Sequence, residues 1–131
     1  MFNPNLKPPS LKLEHTNLLR ITLAGKMTTL HKDEVRKFTD QVYTAVQELY
    51  KRTGQKVNFL TDLKGLEVIE PEVMDVYSEL LKKDLPYVNK SATFGSSVMI
   101  LEAFATLSVL SARSNFRHFA TREEALEYLF E

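Results

Sequence analysis

The 131-residue chain contains no cysteine. Disulfides, thiol nucleophiles, thiolate metal sites and iron–sulfur clusters are therefore excluded, and the composition suits a reducing, cytoplasmic setting. Nor is there a net charge: 17 Lys and Arg offset 17 Asp and Glu. A balanced chain exerts no general electrostatic pull on nucleic acid or on an acidic membrane surface, so neither is an expected partner. Neither G-x-x-x-x-G-K-S/T nor G-x-G-x-x-G occurs, so the usual signals of a backbone cradle for nucleotide phosphates are missing. The opening MFNPNLKPPS lacks the apolar core of a secretory signal. No apolar run reaches the roughly 20 residues of a membrane-spanning helix. The run VMILEAFATLSVL at positions 98–110 is interrupted by Glu102 and followed by Arg113 and Arg117, so no membrane span is expected.

What is present is ordinary for a folded domain: 44% hydrophobic and 26% charged residues, in a length that fits one domain with a real core. Residues 1–9 include three prolines and no periodic pattern, which predicts an irregular N-terminal arm. Residues 10–131 read as a single α/β domain. Leu11 and Leu13 alternate with polar neighbours, as do Leu19, Ile21 and Leu23. These two runs flank His15-Thr16-Asn17 and predict an antiparallel hairpin ending at Gly25. Val35, Phe38, Val42, Val46 and Leu49 recur every three or four residues and predict a helix over about 31–52. Asp33 and Glu34 near its start and Lys51 and Arg52 near its end oppose the helix dipole, and Gly54 supplies a left-handed stop.

VNFLTDL at 57–63 reads as a short central strand. Pro71 opens a second helix with Val73, Tyr77, Leu80 and Leu81 on its apolar face, closed near Leu85-Pro86. SATFG at 91–95 is a strand, 98–112 a third helix and 116–119 a last short strand. Thr121 and Glu124 form a capping box before a final helix that carries Ala125, Leu126, Leu129 and Phe130 into the core. Phe38, Phe59, Phe94 and Phe116 fall where core residues belong, not on a basic stacking platform. The order ββαβαβαβα implies a mixed, mostly parallel five-stranded sheet flanked by four helices.

Three stretches carry a family resemblance: TDLKGLEV after the third strand, PYVNKSATFGSS leading into the apolar helix, and NFRHFATREEALEYL at the end. With the ββα opening, the chain resembles the SpoIIAA-like proteins of the STAS and CRAL-TRIO group, from about Leu11 to the C-terminus. The resemblance implies a mixed sheet flanked by helices and two alternative roles. STAS modules in anti-sigma antagonists bind partner proteins, switched by phosphorylation of a serine in a D-S-S-type motif where the helix after the third strand begins. Here the matching segment runs from Asp62 to Glu72 with no serine or threonine after Asp62, so the switch is not implied although partner binding is. CRAL-TRIO relatives, which are longer, bind apolar ligands in a pocket.

In an open parallel sheet, ligands favour the crevice beyond the carboxyl ends of the strands. Two such ends stand out: Asp62-Leu63-Lys64-Gly65, and Gly95-Ser96-Ser97 just before a helix. The hypothetical ligand site is therefore Asp62, Lys64, Gly95, Ser96 and Ser97, with backbone amides available to an anion. Simple capping by Ser96 or Ser97 explains the same residues and is the commoner arrangement. A catalytic set of Ser96 or Ser97 with His118 and Asp62 has the right residue types, yet no G-x-S-x-G elbow accompanies it. His15, His31 and His118 are scattered without metal-ligand spacing. The acidic residues Glu67, Glu70, Glu72 and Asp75 read as a solvated helix start. No catalytic residue, metal or cofactor is expected.

The segment 98–112 is apolar nearly all round. Met99, Ile100, Ala103, Phe104, Leu107 and Leu110 form one broad face, and Val98, Leu101, Ala105 and Val109 form much of the other, broken by Glu102, Thr106 and Ser108. A helix of this kind is buried on both sides. The second side is covered within the subunit, by another subunit or by an apolar ligand; the hypothetical interface is Val98, Leu101, Glu102, Ala105 and Val109. The function expected is a non-enzymatic STAS-like regulatory or interaction module, paired as a homodimer or with another protein. The alternative is a binder of a small apolar, lipid-like or anionic ligand in the crevice.

Overall fold

Two alternating runs meet at a short turn and pair, as their pattern requires. In the computed structural model, which describes residues 6–15, 17–95 and 115–131, β1 (Leu6–His15) and β2 (Leu18–Met27) lie antiparallel. Strand β1 reaches four residues into the segment expected to be an irregular arm. Pro8 and Pro9 fall in a register shift between Lys7 and Ser10, and β1 is an edge strand, where a missing N–H is tolerated. Residues 1–5 lie outside the described residues. Strand β2 also outruns its expected end. Gly25 adopts φ +79° at a second register shift, so it bends the strand instead of stopping it.

A 3₁₀ turn at Thr29–His31 leads into α1 (Lys32–Thr53), which ends as expected on left-handed Gly54 at φ +70°. Strand β3 (Val57–Ile69) is the main departure from expectation, running six residues past Leu63. Thr22 pairs with Asp62 but Ala24 pairs with Gly65, so β3 carries an extra residue at this bulge. The bulge lets Leu63 and Leu66 join one core despite their odd spacing. Gly65 permits the approach: a Cβ there would sit 3.0 Å from the Ala24 Cβ. Helix α2 (Pro71–Lys83), a 3₁₀ turn at Leu85–Tyr87 and strand β4 (Val88–Phe94) follow, then β5 (Phe116–Phe119) and α3 (Arg122–Phe130). The helix expected at 98–112 lies outside the described residues.

The sheet has the order β1-β2-β3-β4-β5, antiparallel at the first pair and parallel at the other three. Helices α1 and α2 cover one face, packing on Leu19, Ile21, Leu23, Val57, Phe59 and Leu63. Helix α3 covers the other, where Ala125 and Leu129 meet Leu18, Leu60, Ala92 and Phe94. Thr121 caps α3 by accepting the Glu124 N–H at 3.3 Å, while its hydroxyl donates to Glu124 Oε1 at 3.1 Å. The glutamate therefore engages the cap hydroxyl, not the cap amide that a full capping box uses.

Leu63 is fully buried at the bulge. Leu63→Ala is expected to cost about 2–5 kcal/mol through lost burial and a residual cavity, read as a lower urea midpoint at unchanged slope.

Candidate functional site

The strand ends place three of the five expected ligand residues together. Asp62 Oδ1 accepts the Lys64 N–H at 2.9 Å, and its other oxygen lies 3.8 Å from Lys64 Nζ. Asp62 thereby folds back on the bulge and shapes it. Phe94 pairs with Asp62 in register, so Gly95, the next residue, leaves the sheet beside Lys64. Gly95 has φ +81°, and a Cβ there would lie 2.3 Å from Lys64 Cγ. The lysine stem thus lies against a residue that only glycine suits. Its ammonium is mostly exposed and sits 5.8 Å from the centre of the Phe94 ring. At that exposure the Asp62–Lys64 pair contributes little to stability.

The expected strand end at Leu63 is corrected: Lys64 and Gly65 also lie within β3, which runs on to Ile69. Strand β4 stops while β2 and β3 continue to Met27 and Ile69, so the crevice is a step at the end of β4. Ser96, Ser97 and the interface residues Val98, Leu101, Glu102, Ala105 and Val109 lie outside the described residues.

His118 does not join Asp62. Phe59 and Thr61 face the same small cavity as Phe116, whereas Leu60 packs on the opposite face under α3. Alternation puts Asp62 on the α3 side and His118, two residues from Phe116, on the other. His118 Nδ1 instead shares a 2.7 Å hydrogen bond with the hydroxyl of buried Thr93. Burial pushes the His118 imidazole below its usual pKa of 6.5. His31 is buried and its Nδ1 accepts the Thr28 N–H at 3.3 Å, while Nε2 has no hydrogen-bond partner among the described residues. Among the described residues no three His, Asp or Glu side chains gather as a metal site requires. No described helix is long and apolar enough to cross a membrane.

Two features escape a reading of the sequence. Glu70, at the N-cap of α2, accepts the Thr29 N–H at 2.8 Å and so ties the start of α2 to the turn before α1. The partners are 41 residues apart, and no local pattern marks such a pair. The second is a cavity of about 30 Å³ between the sheet and α2, lined by Ile21, Leu23, Phe59, Leu80 and Tyr77 among others. The Tyr77 hydroxyl lies 4.0 Å from the Met27 sulfur, and burial raises its pKa strongly.

No protein-family model matches the chain, and no curated protein matches it by sequence. Solved structures do. An uncharacterised protein of the DUF3478 family with a SpoIIAA-like fold, from Shewanella loihica PV-4, is similar with a TM-score of 0.70 and 17% identity, over 98% of this chain and 99% of that one. The chain has the SpoIIAA-like fold. The anti-sigma factor antagonist SpoIIAA in its unphosphorylated form matches at a TM-score of 0.65 and 15% identity, over 91% of this chain and 93% of that one. The Bacillus cell fate determinant SpoIIAA in its phosphorylated form matches at 0.60 and 15% identity, over 91% and 96%. At these identities the likeness is one of fold.

Two outcomes follow from the site geometry. Gly95→Ala is expected to destabilise by about 1–3 kcal/mol, and by less in a Lys64→Ala background, since the clash disappears and the left-handed backbone cost stays; urea titration of all four proteins measures the difference. His118 is held neutral in the folded chain. Its contribution to stability is therefore complete above its unfolded pKa near 6.5 and is lost as pH falls from there through the lowered folded value. NMR titration is expected to place its midpoint below 6.5, and a midpoint above 6.5 contradicts this.

Proposed function

We propose that this chain is a non-enzymatic STAS-type regulatory module of the cytoplasm, acting by contact with another protein and self-associating as a homodimer. The observation that carries the reading is the extent of the fold: nearly the whole chain aligns with nearly the whole of SpoIIAA, itself described as an anti-sigma factor antagonist. SpoIIAA has been solved both unphosphorylated and phosphorylated. Here the stretch from Asp62 to Glu72 offers no hydroxyl to phosphorylate, and the carboxylate of Glu70 already holds the amide of Thr29. A permanent acidic group at the start of α2 supports a module whose contacts are not toggled by phosphorylation there. The dimer contact proposed is Val98, Leu101, Glu102, Ala105 and Val109, which would exclude water from the second side of the helix expected at 98–112.

The second reading is a small anionic ligand at Lys64, Gly95, Ser96 and Ser97, with Asp62 orienting the lysine. The exposed ammonium beside positive-φ Gly95 favours it. An apolar ligand has less support: the 30 Å³ cavity has room for a water molecule or two, so an acyl chain would have to widen it.

Sedimentation velocity over a range of concentrations tests the first reading. A concentration-dependent dimer that Leu101→Lys converts to monomer is expected. A wild-type monomer throughout removes self-association, and a dimer indifferent to Leu101→Lys moves the interface elsewhere. For the second, addition of inorganic phosphate is expected to shift the amide resonances of Lys64 and Gly95 in wild type and not in Lys64→Ala.

A further inference from the structure

The three described helices are attached in different ways. Helix α1 buries six of 22 residues and α2 seven of 13, whereas the nine-residue α3 buries Ala125 and Leu129, with Leu126 and Tyr128 packed partly buried beside them. A nine-residue helix has little stability in water by itself, so α3 depends on what fastens it to the sheet. Much of that fastening is polar and comes from three strands. Arg122, in its first turn, forms an ion pair with Glu14 of β1, with Nη1 donating to Oε2 at 3.3 Å and Nη2 contacting Oε1. Asn58 of β3 donates to the Leu129 carbonyl at 3.4 Å. Lys90 of β4 donates to the Tyr128 carbonyl at 2.9 Å and sits 4.9 Å from the centre of its ring. The last two hold carbonyls at the helix C-terminus, where a cation also complements the dipole.

We propose that α3 is a releasable strap. It leaves the sheet as a unit while the remainder of the domain stays folded, and it uncovers the apolar strip formed by Leu18, Leu60, Ala92 and Phe94. The Glu14–Arg122 pair is its latch, because it ties the first turn of α3 across the sheet to β1. Both side chains are partly exposed, which makes the latch sensitive to salt. Local opening of this kind draws on segments with few buried apolar contacts, and among the described helices α3, the shortest, has the fewest buried side chains.

Native-state hydrogen exchange by mass spectrometry on the full chain decides the matter, comparing peptides over 122–131 with peptides over 57–63. The α3 amides are expected to exchange on the order of tenfold faster or more than those of β3, as separate opening requires. Glu14→Gln is expected to accelerate α3 by a further two- to fivefold, roughly the size of a lost, partly exposed ion pair, and to leave β3 unchanged. Raising the salt concentration is expected to do the same to wild type and to have little effect on Glu14→Gln, a comparison that needs no variant to establish its first half. Equal protection of α3 and β3, or equal acceleration of both by Glu14→Gln, makes α3 part of the global unit and overturns the strap. Exchange of wild-type α3 that ignores salt removes the latch.

Discussion

Burial of strand β3 on both faces is the constraint on which the rest of the structure depends. Phe59 and Leu63 pack against α1 and α2, Leu60 packs under α3, and the backbone pairs with β2 on one side and β4 on the other. A parallel strand so enclosed needs crossover connections, which is why helices follow β2 and β3. The same enclosure makes register costly to change. A slip by one residue would carry Phe59 under α3 and Leu60 into the larger core. The alternation of β3 breaks twice against β2, at the bulge from Asp62 to Gly65 and again between Leu66 and Val68.

Much of this architecture is legible in the residues themselves. The 3.6-residue recurrence from Val35 to Leu49, the glycine after Arg52 and the capping threonine at position 121 each act within a few residues, so their geometry can be inferred from spacing. The five-stranded mixed sheet follows from the order of such elements. The extension of β3 does not follow. Lys64-Gly65 has the composition of a turn, but pairing with β2, where Gly65 lies opposite Ala24 forty-one positions earlier, carries the strand through it. Gly25 misleads for a related reason, since a positive φ suits a bulge as well as a stop.

The functional residues divide along the same line. Asp62, Lys64 and Gly95 meet because strands β3 and β4 run parallel and β4 ends beside Asp62, which a reading of strand order can anticipate in part. Asp62 and His118 do not meet, because consecutive positions on a strand face opposite ways and the two fall on different sides of the sheet. Glu70 was legible only as one of several acids near a helix start. Its bond to Thr29 links two crossovers that are remote in sequence, and it turns what looks like a solvated charge into a fastening between the start of α2 and the turn before α1.

The paired prolines in β1 have a consequence for solubility. An edge strand offers a ladder of amide hydrogens on which a foreign chain can assemble, and extended edges of this kind seed fibrils. Pro8 and Pro9 supply no N–H on either side of the strand, so the open edge lacks a donor there, and the pairing register shifts around them. Copies of this protein are thereby discouraged from stacking edge to edge, so specific assembly is left to side chains.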